Sequence, residues 1–226
     1  MFVKLGNWLF HYRNFLFPVF YAALFIPSPP VITNTIYAET AGVVIILSGM
    51  LVRAITIGLV YIVRGGRNRT IYADNLVTKG IYSICRNPMY LGNILLLLGF
   101  GLFANSLWFM VIFFPLFVLF YVAIIKAEEA FLLEKFGDEF RSYKKSVSAL
   151  IPRPDRIGSA FSGHSFKWKK VLSKEHNSLY LYLSGILLLL LLKERMELQS
   201  FIAFFLLVSV IYGVIKWFKK RRLLED

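Results

Sequence analysis

The chain has 226 residues, of which 58% are hydrophobic and 17% aromatic, and its formal net charge at pH 7 is +13. Its mean hydropathy is +0.63. This composition excludes an ordinary soluble domain, because such a domain must cover its surface with polar groups. Apolar runs of about 20 residues then indicate helices that cross a bilayer.

Six apolar runs follow one another along the chain. They cover roughly residues 13–28, 38–63, 89–103, 107–126, 178–192 and 199–217. Prolines 27, 29 and 30 form a compact turn after the first run, and the pair Gly65–Gly66 is a plausible end for the second. Pro88 stands where the third helix would begin, and Ala104, Asn105 and Ser106 form the turn after it. We expect an all-α, polytopic membrane bundle with about six transmembrane helices.

The basic residues predict the topology of this bundle. Four segments hold 23 of the 26 Lys and Arg residues: those before residue 20, within 64–87, within 126–176 and after 215. With six spans these segments all fall on one side, and positive charge favours the cytoplasmic side. We expect both termini to be cytosolic and residues 28–37 to lie outside, in the cell (inner) membrane of a prokaryote or the endoplasmic reticulum of a eukaryote. Topology and anionic lipids account for the charge, so we expect no nucleic-acid partner.

The organisation along the chain follows from the same pattern. Residues 1–155 form the expected core, 156–177 a basic interfacial linker, and 178–226 a C-terminal transmembrane hairpin with a basic tail. The fourth run continues as a one-sided helix from Glu128 to Lys145, which we expect at the membrane surface. The role of the C-terminal hairpin and the oligomeric state stay open.

Two polar blocks flank the hairpin that the third and fourth runs form, one at the start of the third run and one at the end of the fourth. Residues 80–92 read GIYSICRNPMYLG, and Glu128–Glu129 are followed by FGDEFRSY at 136–143. Adjacent acids at the end of a span repel each other and oppose the helix dipole, which suggests a cationic partner. The alternative is a pair that is solvated or bound to Lys126 or Arg86.

The first block carries groups that could bind a ligand. Arg86 could hold a carboxylate in a bidentate fork, and Asn87 offers both a donor and an acceptor. Tyr82 and Tyr90 offer ring faces to a cation or to another ring. Each residue alone is also an ordinary interfacial side chain, so it is the spacing of the set that favours a site.

Other classes of active site are excluded. The histidines, at positions 11, 164 and 176, lack metal-ligand spacing, so we expect no metal site. The chain has no phosphate-binding loop and no serine elbow. It also lacks the alternating strands and helices of a Rossmann-type methyltransferase.

The two blocks resemble the membrane methyltransferases that act on isoprenylcysteine and on phospholipids and use S-adenosylmethionine. The resemblance covers roughly residues 40 to 153. Isoprenylcysteine enzymes carry Leu-Val-Thr-x-Gly-x-Tyr, Arg-His-Pro-x-Tyr, a Glu pair and Phe-Gly-x-x-Tyr-x-x-Tyr; here residues 76–82, 86–90, 128–129 and 136–143 correspond. The resemblance implies cofactor contacts at Asp74, Asn75, Leu76, Val77, Tyr82, Asn87, Pro88, Met89, Tyr90 and Glu128.

Three departures bear on the acceptor. Asn87 replaces the histidine of the isoprenylcysteine motif, as it does in phosphatidylethanolamine methyltransferases, which also carry Asn-Pro-Met-Tyr. Ile124 stands where isoprenylcysteine enzymes have a substrate-side arginine, which weakens prenylcysteine as the substrate. The Gly-x-Gly of phospholipid enzymes has no clear upstream counterpart, and Gly99-Phe-Gly101 is expected to pack helices.

Arg53 is a candidate for binding the substrate. It lies about 15 Å inside the second span, at 1.5 Å per residue. A charge at that depth should face the bundle interior or a cavity, where it could bind an anionic substrate group. The alternative is a structural pair with Glu39 or near Glu128. Lys126, next to the Glu pair, is a second candidate.

The sequence therefore predicts methyl transfer from S-adenosylmethionine to a hydrophobic acceptor at the cytosolic membrane face, by in-line displacement. Arg86 and Glu129 are the candidate catalytic residues, and Glu129 would accept a proton if the acceptor is an amine. The acceptor stays open among a prenylated carboxylate, a phospholipid amine and another lipid or thiol. The expected partners are this substrate and membrane lipids. The alternative is a transporter or lipid-binding scaffold that retains the motif without activity.

Overall fold

The computed structural model describes residues 2–59, 70–161 and 165–224, and its regular elements are helices. They are α1 (Phe2–Ala22), α2 (Thr35–Leu59), α3 (Pro88–Ala104), α4 (Phe114–Ser146), α5 (Ile157–Phe161), α6 (Trp168–Leu192) and α7 (Leu198–Lys220). Short 3-10 turns lie at Ala23–Phe25, Gly80–Ser83 and Pro154–Arg156, and a π-helical turn at Phe109–Phe113 runs into α4. The predicted all-α class is confirmed, with six long helices among the described residues.

Four helices in the described parts of the chain are long and apolar enough to cross a membrane. They are α2, the continuous helix Phe109–Ser146, α6 and α7. The apolar helix α3 is shorter, with 17 residues. The chain is therefore a multi-pass integral membrane protein.

The helices extend beyond several of the predicted apolar runs. α1 begins at Phe2, before the run that starts near residue 13, and α6 begins at Trp168, inside the predicted linker. Lysine is a good helix former, so a helix can continue outside the apolar part that the bilayer requires. α3 begins at Pro88 as predicted. The pair Gly65–Gly66 lies outside the described residues.

The chain divides into two compact units, residues 1–164 and 165–226. The first unit contains α1 to α5 and both polar blocks. The second is a hairpin in which α6 packs against α7. Within it, the Tyr212 hydroxyl donates to Asn177 Oδ1 at 3.0 Å, and Lys219 Nζ donates to the Ser173 carbonyl at 2.8 Å.

Glycines bring α2 and α3 into backbone contact along a seam formed by Gly42, Gly49, Gly92 and Gly99. A Cβ atom built on Gly99 would lie 2.8 Å from the Gly42 carbonyl oxygen, and one on Gly49 would lie 2.9 Å from the Gly92 carbonyl oxygen. The seven-residue spacing on both helices keeps the glycines on one face, and the pairing of 42 with 99 and 49 with 92 makes the helices antiparallel. This glycine seam confirms that Gly99 packs helices together.

The turn between α3 and α4 holds the loop that follows α1. Asn105 ends α3 with a left-handed backbone, φ 52°. Its Oδ1 accepts the N–H groups of Val31 and Ile32, both at 2.9 Å, and its Nδ2 donates to the Ile32 carbonyl at 2.8 Å. Residues 28–37 and the turn at residues 104–106 contain neither Lys nor Arg, and they therefore lie together at one end of the bundle. The side of the membrane that they face remains a prediction.

α4 continues past the apolar run as predicted, but it bends at Gly137. The backbone there has φ 51° and ψ −121°, which favours glycine. A straight helix would separate residues 129 and 144 by about 22 Å. Instead Lys144 Nζ lies 2.7 Å from Glu129 Oε2. The bend thus returns the last turns of α4 toward the Glu pair.

Candidate active site

The two polar blocks meet at a contact between α3 and α4. Tyr90, in the first turn of α3, donates its hydroxyl hydrogen to Oε1 of Glu128. The two residues are 38 positions apart in the chain, and both were predicted as cofactor contacts. Glu128 is only 6% exposed, so its carboxylate acts in a low-dielectric interior where electrostatic interactions are strong.

A second contact ties the first block to both sides of the α4 bend. Arg86 Nη2 lies 2.5 Å from Glu129 Oε1, while its Nη1 donates to the carbonyl oxygens of Lys144, at 3.0 Å, and Val147. The side chains of Arg86 and Glu129 are 8% and 9% exposed. We name Arg86, Glu129, Lys144 and Val147 the arginine clamp. It closes the bend, because one guanidinium binds residues before and after Gly137.

The Glu pair therefore has a different setting from the one expected. α4 runs on to Ser146, so the pair is not at a helix C-terminus, and the argument from the helix dipole is wrong here. Successive residues point in different directions around a helix. Glu128 accordingly meets Tyr90, and Glu129 meets Arg86 and Lys144. Pairing with Arg86, one of the alternatives, occurs for Glu129.

The segment after α4 runs beside the first block and fixes its backbone. The Arg86 N–H donates to the Ser148 carbonyl at 3.0 Å. Both the backbone N–H and the side-chain Nδ2 of Asn87 donate to the Ala149 carbonyl, each at 3.1 Å. The Tyr143 hydroxyl donates to the Tyr82 carbonyl at 2.7 Å. Asn87 was predicted to contact the cofactor, but its Nδ2 group donates to the protein's own backbone in this structure.

The loop before the first block packs on the last turns of α4. Leu76, with Ala73, contacts a cluster formed by Leu132, Phe140, Tyr143 and Val147. The Lys135 ammonium donates to the Ala73 carbonyl. The loop thus carries the predicted cofactor positions 74–77 along the bent end of α4.

The remaining predicted cofactor residues differ in exposure. Asp74 and Asn75 are exposed, and the Tyr72 hydroxyl donates to Asp74 Oδ1. Tyr82 and Pro88 are buried, and Met89 is half-buried. Val77 contacts the cluster that contains Tyr82 and Ala160 of α5. The cofactor role of these residues stays a prediction.

A chain of polar side chains joins Arg53 to the Tyr90–Glu128 contact. Arg53 is buried, and its Nη1 donates to Asn93 Oδ1. Asn93 Nδ2 donates to the Tyr121 hydroxyl at 2.6 Å, and the Tyr121 ring centroid lies 4.9 Å from that of Tyr90. Gly92 leaves room for the Arg53 side chain, because a Cβ atom at Gly92 would lie only 2.6 Å from Arg53 Cγ. Arg53 therefore faces the bundle interior, as predicted.

Sequence reasoning missed Asn93 and Tyr121. Asn93 is the polar residue within an otherwise apolar stretch of α3, which is a readable signal in a membrane helix. Tyr121 stands two helical turns before Glu128 and so shares its face of α4. Lys126, the second substrate candidate, is exposed on α4, and its role stays a prediction.

The fold and site define a multi-pass helical membrane protein whose polar residues converge between α3 and α4. Residues 37–139 match the family model described as Phospholipid methyltransferase. This segment contains α3 and most of α2 and α4, and it includes Arg86, Tyr90 and Glu128. Over these residues the chain is similar to the phospholipid methyltransferase family, and the predicted resemblance of the two blocks is confirmed.

Three relatives match parts of the chain. The cobalt-zinc-cadmium resistance protein CzcN of Cupriavidus metallidurans is 38% identical over 91 residues, 40% of this chain and 39% of the relative. The nickel-cobalt-cadmium resistance protein NccN of Alcaligenes xylosoxydans xylosoxydans is 36% identical over 81 residues, 36% of this chain and 38% of the relative. Protein-S-isoprenylcysteine O-methyltransferase of Schizosaccharomyces pombe is 37% identical over 81 residues, 34% of this chain and 33% of the relative.

The matched part of the chain spans about two-fifths or less of the length of these relatives. No solved structure matches the chain. Among residues 2–59, 70–161 and 165–224, no group of three or more His, Cys, Asp or Glu side chains is placed to hold a metal ion.

Proposed function

We propose that this protein transfers a methyl group from S-adenosylmethionine to a hydrophobic acceptor within the membrane. The contact of Tyr90 with Glu128 carries the proposal, because it joins two family cofactor positions from separate helices. These groups suit the cofactor, because a buried carboxylate and two tyrosine rings can bind a cationic ligand. When bound, S-adenosylmethionine supplies a methyl group on a positively charged sulfur.

The residues of the site divide into two roles in this proposal. Glu128 and Tyr90 bind the cofactor, and the packed rings of Tyr90 and Tyr121 exclude water from the reacting groups. Arg86 and Glu129 position the motif. Because two cations pair with Glu129, its carboxylate is a weak base, and a positioning role fits it better than proton transfer.

Arg53 supports an acceptor that carries an anionic group. Its guanidinium lies inside the bundle, linked through Asn93 to the Tyr90–Tyr121 pair, where it can bind a carboxylate or phosphate. A carboxylate acceptor needs no general base. A prenylated carboxylate, a phospholipid amine, and another lipid or thiol remain the candidates, and Lys126 would meet the headgroup at the surface of α4.

Substitution of Glu128 tests the cofactor site. Glu128→Gln keeps the shape of the side chain and removes its charge. A charge-assisted hydrogen bond is worth about 1.5–3 kcal/mol, so the affinity for S-adenosylmethionine should fall roughly tenfold to a hundredfold. Calorimetric titration of the detergent-solubilised protein measures this affinity.

The matched control is Glu134→Gln, which neutralises an exposed carboxylate on the same helix and should leave the affinity unchanged. Equal affinities in the wild type and Glu128→Gln would remove Glu128 from the cofactor site. Mass spectrometry of membrane lipids with methyl-labelled cofactor then identifies the acceptor. Binding without any methyl transfer would favour the scaffold alternative.

We further propose that the site and both termini face the cytosol. Cys85 is the single cysteine and is buried, so a Cys85→Ala background leaves a chain ready for accessibility labelling. Thr33→Cys and Lys79→Cys place thiols at exposed positions in the two opposite loops. Lys79→Cys should react from the cytosolic side and Thr33→Cys from the other. Reaction of both from one side would contradict the topology and weaken the assignment of the site.

A further inference from the structure

Asn93 is a polar residue in the apolar part of α3. Between residues 91 and 104 the other side chains of this helix are apolar or glycine. An amide side chain is costly in a membrane span unless its polar groups are paired. Asn93 is paired on both sides: its Oδ1 accepts from Arg53 Nη1 of α2, and its Nδ2 donates to the Tyr121 hydroxyl of α4 at 2.6 Å. One side chain thus links three helices.

Arg53 sets the direction of these hydrogen bonds. A guanidinium has donors and no acceptor, so only the carbonyl oxygen of Asn93 can face it. The amide nitrogen of Asn93 must then point to α4, where the Tyr121 oxygen accepts its hydrogen bond. Arg53 is 9% exposed. The order of donors and acceptors from α2 to α4 is therefore fixed by one buried cation.

The Tyr121 ring is held both by its hydroxyl and by its neighbours. The hydroxyl is bound to Asn93, and the ring centroid lies 4.8 Å from that of Phe117 and 5.1 Å from that of Phe17. Tyr121 is only 1% exposed, so its ring is closely packed. It therefore offers a fixed surface to Tyr90, whose ring centroid lies 4.9 Å away with the two planes tilted by 45°.

Tyr90 connects this fixed surface to the candidate cofactor site. Its hydroxyl donates to Glu128 Oε1. Hydrogen bonds weaken steeply as they bend, so this contact depends on where the Tyr90 ring lies. Asn93 follows Tyr90 by three residues and shares its face of α3. A change at Asn93 can therefore reach Glu128 through the two tyrosine rings.

We propose that Asn93 is a positioning residue for the cofactor site. It holds the Tyr121 ring, which keeps Tyr90 in the orientation that binds Glu128. The inference rests on the proposed binding of S-adenosylmethionine, and it adds a residue that acts on the cofactor through two other side chains. Because small misplacements of binding groups have large effects, loss of this orientation weakens the site without removing any of its groups.

A spectroscopic probe at Tyr90 tests the positioning without cofactor. Fluorotyrosine replaces Tyr90 by amber suppression, and its fluorine resonance is recorded in the full-length protein in dodecyl maltoside. Asn93→Leu removes both hydrogen bonds at similar side-chain volume and should shift or broaden the resonance. Asn93→Asp should leave it close to its wild-type position, because the carboxylate still accepts from Arg53 and the Tyr121 hydroxyl can turn to donate to it.

The affinity for S-adenosylmethionine tests the consequence for the site. Calorimetric titration should give an affinity about fivefold to tenfold lower for Asn93→Leu, as expected for coupling within one hydrogen-bond network, and close to wild type for Asn93→Asp. Tyr121→Phe removes the same hydrogen bond from the other side, so the double variant should lose no more than either single variant. In a Tyr90→Phe background, Asn93→Leu should have no further effect.

Thr56→Val is the matched control. Thr56 is 2% exposed on α2, and its hydroxyl donates to the Val52 carbonyl of the same helix at 2.7 Å. The variant removes one buried hydrogen bond that lies outside the Asn93 network. Its fluorine resonance and its affinity for S-adenosylmethionine should therefore match those of the wild type.

Three results would overturn the proposal. One is wild-type affinity in Asn93→Leu and Tyr121→Phe, whether or not the resonance shifts. Another is an equal loss in Asn93→Leu, Asn93→Asp and Thr56→Val, which indicates a general effect on structure. The third is an unchanged resonance in Tyr121→Phe and Asn93→Leu. Should Asn93→Leu fail to fold, Tyr121→Phe decides the question, since it keeps the ring. A wild type that does not bind S-adenosylmethionine would overturn the proposed function instead, while the resonance still shows whether Asn93 positions Tyr90.

Discussion

α3 contacts its two neighbours in two different ways. Toward α2 it presents the glycine seam, where backbone meets backbone, together with one hydrogen bond, from Arg53 to Asn93. Toward α4 it presents polar side chains, with Tyr90 bound to Glu128 and Asn93 bound to Tyr121. The contact with α2 therefore depends mainly on shape, and the contact with α4 depends on matched donors and acceptors.

The difference separates a scaffold from a site. In a lipid environment close packing of small residues holds helices together, because no hydrophobic force favours one apolar surface over another. Buried polar contacts are costly unless every member is satisfied, and they are found where chemistry needs them. The seam therefore holds α3 in place, while the polar face of α3 is available for binding and catalysis.

Breaking the arginine clamp should give the largest effect. Arg86→Met leaves the buried Glu129 with one partner and removes the donor to the Lys144 and Val147 carbonyls. Removing one partner of a buried ion pair costs about 3–5 kcal/mol. Lys144, which still pairs with Glu129, should keep the loss near the lower end. Thermal and denaturant unfolding in detergent measure it.

Arg141→Met is the control for this prediction. Arg141 pairs with Asp138 at 2.9 Å, but both side chains are largely exposed, so the loss should be about 1 kcal/mol or less. Arg86→Lys should recover only part of the stability, because lysine lacks the planar set of donors that binds both sides of the bend. Equal losses in Arg86→Met and Arg141→Met would show that the clamp does not hold the bend.

The sequence predicted those parts of the fold that depend on local signals. Pro88 marked the start of α3, Asn105 the turn after it, and the apolar runs marked the membrane helices. The approach of Glu128 to the first block followed from the hairpin between them. In each case the feature depends on residues that are close in sequence, or on two helices that are joined by a short turn.

The missed features depend on contacts between distant residues. Gly137 gives no sign of its positive φ in the sequence, since glycine occurs in helices for several reasons. The pairing of residues 147–149 with Arg86 and Asn87 joins segments about 60 positions apart. The packing of Gly6 on Ala123 joins α1 to α4 across more than 100 residues. Neither the hydrophobic periodicity nor the composition of the sequence predicts such contacts between distant residues.

Breaking the seam should give a smaller effect and leave the site intact. In Gly99→Ala the new Cβ would lie 2.7 Å from the Ile46 nitrogen and 2.8 Å from the Gly42 carbonyl oxygen. Because both are backbone atoms, α2 and α3 must move apart, at a cost of about 1–3 kcal/mol. The control Gly213→Ala adds the same methyl group in α7, where nothing lies within 4 Å.

Alanine is the better helix former by about 1 kcal/mol, so Gly213→Ala should be neutral or stabilising, and the difference between the two variants isolates the cost of the contact. Unfolding midpoints in one detergent give this difference. The affinity of folded Gly99→Ala for S-adenosylmethionine should match that of the wild type, because the Tyr90–Glu128 contact lies on the other side of α3. Similar midpoints for both variants would contradict a tight seam. A loss of affinity in fully folded Gly99→Ala would show that the scaffold and the site are coupled through α3.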